Sequence, residues 1–372
     1  MNILTVIGAR PQFVKAAVVS RALRAKPGVR EVLVHTGQHY DPNMSDVFFQ
    51  ELEIPQPDHH LGIGSGPHGA QTGRTLEALE RVLVQEQPDW LLIYGDTNST
   101  LAGALAAAKL AIPIIHVEAG LRSFNPHMPE EINRILADRV SSLLAAPTEA
   151  AVANLRREGI SPEKIHLVGD VMFDAALFYG ARADARSTIL GRLGISHKNY
   201  ILATIHRAAN TDDPAPLHAI FAGLGAVARD VPVVLPLHPR TRAALQRDGM
   251  LTEASRHLRL IEPVGYLDMV MLEKHALRIV TDSGGVQKEA FFHRVPCITL
   301  REETEWVELV ACGWNRLVPP VDADLVRRAL QDSLMAQASP AVPVGLYGEG
   351  RAAGLVAGLL CQSRLAGSAA AA

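Results

Sequence analysis

Short runs rich in Val, Ile and Leu alternate with longer stretches of helical spacing along almost the whole chain. Strands buried on both faces read as such unbroken apolar runs, and their alternation with helices marks parallel sheets covered by helices. The first half predicts strands over 3–7, 31–36, 90–94, 112–117, 143–146 and 165–168. The second half repeats the scheme over 200–204, 231–235, 258–261, 277–281, 296–299 and 316–318. The expected class is α/β, with two doubly wound, Rossmann-like domains facing a cleft. Residues 173–198 pass from an apolar, helix-like start to the small and charged run Gly180-Ala181-Arg182-Ala183-Asp184-Ala185-Arg186. A hinge is expected there or slightly earlier. The predicted division is 1–170, 171–350 and a last helix over 351–366.

In open α/β sheets ligands sit beyond the carboxyl ends of the strands. Small and charged residues collect at those positions in both halves: Gly8-Ala9-Arg10, Gly95-Asp96-Thr97, Glu118-Ala119-Gly120, His206-Arg207, His238-Pro239-Arg240 and Asp282-Ser283-Gly284-Gly285.

Composition narrows the classes. The 372 residues carry 36 Lys and Arg against 39 Asp and Glu, a net charge of −3 with neutral His. That balance excludes a chain that grips nucleic acid or an anionic membrane through bulk charge, so any phosphate must be held locally. With 48% hydrophobic and 20% charged residues the chain lies far from the regime of disorder. Its most apolar stretch, 101–117, is interrupted by Lys109, Pro113 and His116, and predicts no membrane span. The first apolar run has no basic region before it and reads as a buried strand rather than a signal peptide. Three cysteines without Cys-x-x-Cys spacing suggest reduced thiols in a cytoplasmic protein.

Several segments carry chemistry. In Gly8-Ala9-Arg10-Pro11-Gln12-Phe13-Val14-Lys15, Pro11 opens a helix, so Arg10 and Lys15 lie near its N-terminus. Two cations there oppose the helix dipole by about 0.3–1 kcal/mol each. The arrangement makes sense around a bound anion; the plain alternative is two solvated charges. Asp282-Ser283-Gly284-Gly285-Val286-Gln287-Lys288-Glu289 follows a strand and opens a helix. Adjacent glycines let backbone N–H groups approach an anion, with the Ser283 hydroxyl beside them, so this reads as a diphosphate cradle. Glu289, one turn beyond Gly285, is placed to accept from ribose hydroxyls, or else to pair with Lys288 or Arg294. No Gly-x-Gly-x-x-Gly is present to favour a dinucleotide.

Asp96, Glu118 and Glu130 stand at strand ends or just beyond. The plain readings are an N-cap for Asp96 and an i,i+4 ion pair between Glu130 and Arg134. Capping explains neither Glu118 nor the Glu-Ala-Gly-Leu-Arg-Ser run that follows it. His206 and His238 end equivalent strands of the second half, each with an arginine within two residues. His35 and His39 straddle a strand end and lack a third ligand, so no metal is expected.

Taken in order, Gly-Ala-Arg-Pro-Gln-Phe-Val-Lys, Tyr-Gly-Asp-Thr-Asn-Ser-Thr, His-Val-Glu-Ala-Gly-Leu-Arg, Met-Pro-Glu-Glu-Ile-Asn-Arg and Thr-Asp-Ser-Gly-Gly-Val-Gln-Lys-Glu resemble the non-hydrolysing UDP-N-acetylglucosamine 2-epimerase family. The resemblance runs from about residue 3 to about residue 360. It implies the glycosyltransferase type B architecture, with a UDP-sugar in the cleft, the last helix crossing back to the first domain, and a homodimer. Carried over residue by residue, Asp96, Glu118 and Glu130 match the family's catalytic carboxylates and His206 its active-site histidine. Arg10, Lys15 and Arg134 match its basic site residues; Ser283, Gly284, Gly285 and Glu289 match its UDP-binding segment, and His238 joins the substrate-binding set. The implied reaction breaks the bond from C1 to UDP, forms a 2-acetamidoglycal and re-adds UDP, with no cofactor and no metal.

Two departures qualify the resemblance. Residues 36–44 lack the Gln-His-Arg-Glu-Met pattern of members regulated by a second substrate molecule, and 206–210 lack their extra Arg-Glu, so the resemblance leaves allosteric activation by a second UDP-sugar open. Gln38-His39-Tyr40-Asp41 and Thr304-Glu305-Trp306-Val307-Glu308 look like the subgroup acting on UDP-2,3-diacetamido-2,3-dideoxy-glucuronate. Rival readings are a UDP-sugar glycosyltransferase, a hydrolysing epimerase and a sugar-nucleotide-binding regulator.

Overall fold

The computed structural model describes residues 1–38, 51–336 and 340–370, with side chains except those of Arg10 and 363–370. Residues 39–44 of the first departure, and with them His39, Tyr40 and Asp41 of the second, lie outside the described residues. The chain divides into two compact units, Met1–Ala175 with Gly345–Ala372, and Ala176–Val344.

The first unit is built on a seven-stranded, all-parallel sheet in the order β3-β2-β1-β4-β5-β6-β7. Its strands are β1 (Asn2–Ile7), β2 (Arg30–His35), β3 (His59–His60), β4 (Trp90–Tyr94), β5 (Ile114–Val117), β6 (Leu143–Ala146) and β7 (Ile165–Leu167). Five helices matter to the site: α1 (Arg10–Arg24), α2 (His68–Glu86), α3 (Asn98–Lys109), α4 (Pro129–Val140) and α5 (Glu149–Arg157). Leu4, Val6, Leu91 and Ile93 of the central strands are fully buried against Leu79 of α2 and Ala102 and Ala106 of α3. The order reverses between β1 and β4, so Gly8 and Gly95 leave the sheet side by side at its switch point.

The second unit holds a six-stranded parallel sheet, β10-β9-β8-β11-β12-β13. These are β8 (Ile201–Thr204), β9 (Val233–Pro236), β10 (Arg259–Ile261), β11 (Arg278–Thr281), β12 (Cys297–Thr299) and β13 (Asn315–Leu317). Here the order reverses between β8 and β11, the strands that precede His206 and Asp282. The core joins Ile201, Leu235 and Val280 to Leu217 and Leu224 of the helix Pro214–Val227 and Val326 and Leu330 of the helix Ala323–Met335. Gly223 lets those two helices approach: a Cβ there would stand 2.7 Å from Val326.

The α/β class and twelve predicted strands are present, each within two residues of its expected span. Three starts shift because prolines at 113, 232 and 296 offer no N–H to the ladder. The thirteenth strand, β3, consists of two histidines and leaves no apolar run to find. Residues 180–186 mark no break; they continue one helix, Val171–Arg186, within which the unit boundary falls at Ala175 and Ala176. The helix Ala352–Ala370 belongs to the first unit and rests on α1. Its first N–H groups, from Ala352 and Ala353, donate to the Asp174 carboxylate at 3.1 and 2.8 Å, where a negative charge suits the dipole. Among the described residues no helix is long and apolar enough to cross a membrane.

Candidate active site

At the β1/β4 reversal the turn after β1 is tied to the end of β4 by Gln12. Its Oε1 accepts from Gly8 N and Ala9 N at 2.8 and 3.1 Å, and its Nε2 donates to the Tyr94 carbonyl at 2.9 Å and to Thr100 Oγ1 at 3.0 Å. This glutamine brings Lys15, one turn further along α1, toward the strand ends. Lys15 Nζ forms an ion pair with Glu118 Oε2, both side chains only 8% exposed. Gly95 lies against that pair: it adopts φ +60°, and a Cβ there would stand 3.2 Å from both charged atoms. Glu118 has φ +72°, a conformation costing a non-glycine residue about 1–2 kcal/mol. Such strain persists where surrounding structure demands it, commonly at functional sites.

Asp96 follows Gly95. Its Oδ2 accepts from Arg134 Nη1 of α4 at 2.7 Å, and its carbonyl accepts from Asn133 Nδ2 at 2.8 Å. Loss of solvation raises the Asp96 carboxyl above the ordinary range; Arg134 and Lys15 oppose the shift, and Glu118 and Glu130 add to it. Asp96 is not the helix cap: Thr97 caps α3, its Oγ1 accepting from Thr100 N. Arg134 pairs with Asp96 and, through Nε at 3.2 Å, with Glu131. The i,i+4 reading of Glu130 and Arg134 gives way to this i,i+3 contact. Glu131 also accepts from Ser123 N and Phe124 N at 2.9 and 3.0 Å, which leaves it a structural buttress. Glu130 and Asp96 line a cavity of about 310 Å³ together with Gln38, His68, Gln71 and Asn133.

The second unit gathers its own set. Asp282, fully buried, accepts from His206 N at 3.0 Å, Arg207 N at 2.9 Å and Asn210 Nδ2 at 3.1 Å, so it shapes the loop after β8. His206 keeps 40% of its side chain exposed, with Nδ1 3.4 Å from Asp282 Oδ1 and its ring centroid 5.4 Å from that of His238. His238 caps the helix Pro239–Arg247, its Nδ1 accepting from Arg240 N at 3.2 Å. Ser283 N-caps the helix Gly284–Phe292 without a side-chain cap bond. A Cβ at Gly285 would stand 3.9 Å from Ser283 Oγ, whereas the Glu305 carboxylate lies against Gly284 and is held by Arg301 at 3.1 Å. Glu289 is 9% exposed, and Lys288 Nζ sits 4.0 Å from the Trp306 ring centroid. The Arg10 side chain lies outside the described residues.

The family model for UDP-N-acetylglucosamine 2-epimerase matches residues 21–361. The chain belongs to that family. This epimerase is 55% identical over 321 residues to the UDP-2,3-diacetamido-2,3-dideoxy-D-glucuronate 2-epimerase of Pseudomonas aeruginosa, covering 86% of this chain and 88% of that protein. It is 33% identical to the UDP-N-acetylglucosamine 2-epimerase of Escherichia coli K12, over 98% of this chain and 100% of that one. The crystal structure of the Methanocaldococcus jannaschii UDP-GlcNAc 2-epimerase in complex with UDP-GlcNAc and UDP superposes with a TM-score of 0.90 at 41% identity, covering 97% of this chain and 100% of that one.

Sequence reasoning missed four residues that order the loops carrying the candidate residues of each unit. Gln12 and Asp282 lie inside quoted motifs, yet nothing in their spacing reveals which N–H groups they serve. His116 and Asp138 form a buried pair, Nδ1 to Oδ1 at 2.7 Å. The available signal was a histidine inside an otherwise apolar strand, which needs partners for both ring nitrogens.

Proposed function

We propose that this epimerase inverts C2 of a UDP-2-acetamido sugar, interconverting UDP-N-acetylglucosamine and UDP-N-acetylmannosamine. The observation that carries the reading is the gathering of Asp96, Glu118, Lys15 and Arg134 at the β1/β4 reversal. The C2 proton is not beside a carbonyl, so direct removal is too costly. Cleavage of the C1–O bond to UDP leaves positive charge on C1 and the ring oxygen, which acidifies C2–H and which nearby carboxylates stabilise. The bonding pair departs with the diphosphate, the proton passes to a carboxylate, and the C1=C2 double bond of a 2-acetamidoglycal forms. A protonated carboxylate then delivers a proton to the opposite face of C2 while the diphosphate oxygen re-adds at C1.

Asp96 and Glu118 are assigned the proton transfers, and Glu130 stabilises charge. Lys15, Arg10, His206 and the Ser283, Gly284 and Gly285 segment receive the departing diphosphate, and Glu289 the ribose. His238 supports His206 by ring contact. Burial raises the Asp96 carboxyl, which makes its ionised form the stronger base and suits it to take the C2 proton.

A second reading, the same inversion on UDP-2,3-diacetamido-2,3-dideoxy-glucuronate, is favoured by the 55% identity to the Pseudomonas enzyme. Incubating the chain with each nucleotide sugar in D₂O decides between them: deuterium enters C2 of the recovered substrate and its epimer for the true one. Release of free sugar, or UDP formation without deuterium in the nucleotide sugar, overturns epimerisation. We further assign a homodimer, supported by the exposed apolar stripe of Ile132, Ile135 and Leu136 on α4, and a role in the cytoplasm supplying polysaccharide precursors. Sedimentation of the chain at monomer mass rules out the dimer.

A further inference from the structure

His116 on β5 is wholly inaccessible to solvent, and both of its ring nitrogens meet acceptors. Nε2 lies 2.7 Å from the carbonyl oxygen of Gly95, which cannot donate. Nδ1 lies 2.7 Å from Asp138 Oδ1 on α4. The other oxygen of Asp138 accepts from Gly120 N at 3.0 Å and pairs with Arg122 Nη1 at 2.8 Å, the bonding pattern of an ionised carboxylate. Arg122 is in turn held by both oxygens of Glu158 at 2.7 Å. Donor and acceptor accounting therefore leaves a hydrogen on each ring nitrogen.

We propose that His116 is held as an imidazolium and is a positioning residue of the reaction, acting through the Gly95 carbonyl. Gly95 is fixed at both ends, since its N–H donates to the Val117 carbonyl at 3.0 Å while His116 holds its C=O. The clamp joins three parts of the centre. Gly95 precedes Asp96, Glu118 follows His116 by two residues on the same strand end, and Gly95 itself lies against the Lys15–Glu118 pair. From α4, Asp138 directs His116 while Arg134 and Asn133, on the same helix, hold Asp96. The ionisable groups around the ring are thus Asp138, Arg122 and Glu158 behind it, and Lys15, Glu118 and Asp96 ahead of it. A neutral imidazole would satisfy only one of the two acceptors and release the turn that sets the spacing of Asp96 and Glu118.

The inference rests on the proposed function for its kinetic consequence and on the wild-type protein alone for its chemical one. Nitrogen-15 NMR of histidine-labelled protein at about pH 8, where an ordinary histidine is neutral, is expected to show one ring with both nitrogens protonated, lost in His116→Asn. A spectrum in which every ring shows a single protonated nitrogen overturns the inference. With whichever of the two UDP-sugars the wild-type chain epimerises, His116→Asn is expected to lower kcat by about 10²-fold, the scale of a misplaced catalytic group, and to leave KM within about threefold. A change in KM alone, or an unchanged kcat in folded H116N, removes the positioning role. If neither sugar turns over yet the doubly protonated ring is seen, the function fails and the protonation state stands.

Discussion

The guanidinium of Arg134 reaches from α4 to the carboxylate of Asp96, at 2.7 Å, while its Nε keeps hold of Glu131 at 3.2 Å. One planar group thereby sets the direction of Asp96 from a residue locked to the backbone of Ser123 and Phe124. A lysine has no fork to span both carboxylates. Arg134→Lys is expected to lower kcat by about 10²-fold with the fold intact, a loss on the scale of misorientation. Exchange of solvent deuterium into C2 measures it; wild-type rates in R134K disconnect Arg134 from Asp96.

The same aspartate is expected to govern the pH response. Loss of solvation raises its carboxyl above the usual value of about 3.9, and Glu118 and Glu130 add to the shift against Arg134 and Lys15. A carboxyl raised in this way holds its proton to higher pH, so the steps that need it ionised fade on acidification earlier than an ordinary aspartate allows. The acid limb of kcat/KM is expected above the ordinary aspartate range and absent from the residual activity of Asp96→Asn. An acid limb unchanged in D96N reassigns it to another group.

Gly95 carries two demands that one substitution tests. Its φ of +60° disfavours any side chain, and a methyl would stand 3.2 Å from Lys15 Nζ and Glu118 Oε2. Gly95→Ala is expected to lose about 1–2 kcal/mol of stability from the backbone alone and to lower kcat by separating the ion pair. Urea midpoints and turnover, measured together, check both parts. A variant that loses neither shows the turn to be pliable.

The polar partners explain how far the linear order of residues could be read. Buried parallel strands announce themselves as apolar runs, so the sheets were legible, and the candidate site positions followed from where those runs stop. Asp96, Glu118 and Lys15 were found in that way and do lie together. What failed were readings confined to one helix. Glu130 and Arg134 are four residues apart, yet Arg134 turns to Glu131 and to an aspartate 38 positions earlier. Helical spacing shows which groups share a face, and long-range folding decides which of them meet. Thr97 took the capping role open to Asp96 for a similarly local reason: its hydroxyl, one residue closer to the helix, reaches Thr100 N.

Glu273, in the helix Tyr266–His275, is 1% exposed, and among the described residues neither carboxylate oxygen has a hydrogen-bond partner; His293 Nε2 is 4.0 Å away. Burial raises its carboxyl well above the ordinary range, with Glu289 adding to the effect. The folded state therefore keeps a proton that the unfolded chain releases near the usual glutamate value. Stability falls as pH climbs from the unfolded to the folded pKa, because the native state binds the extra proton. Glu273→Gln should flatten that fall and be the more stable protein at the alkaline end. Denaturant midpoints at about pH 5 and about pH 8 test the sign; equal slopes in both proteins refute it.

The first unit is made of two stretches of chain, Met1–Ala175 and Gly345–Ala372, and the whole second unit is translated between them. Asp174 waits for the amides of Ala352 and Ala353 until the ribosome has made the whole second unit. During synthesis the inserted unit emerges whole and is free to fold as a contiguous piece, whereas the first unit stays without that support until the helix Ala352–Ala370 has followed. Biogenesis thus sets completion of the first unit after synthesis of the second.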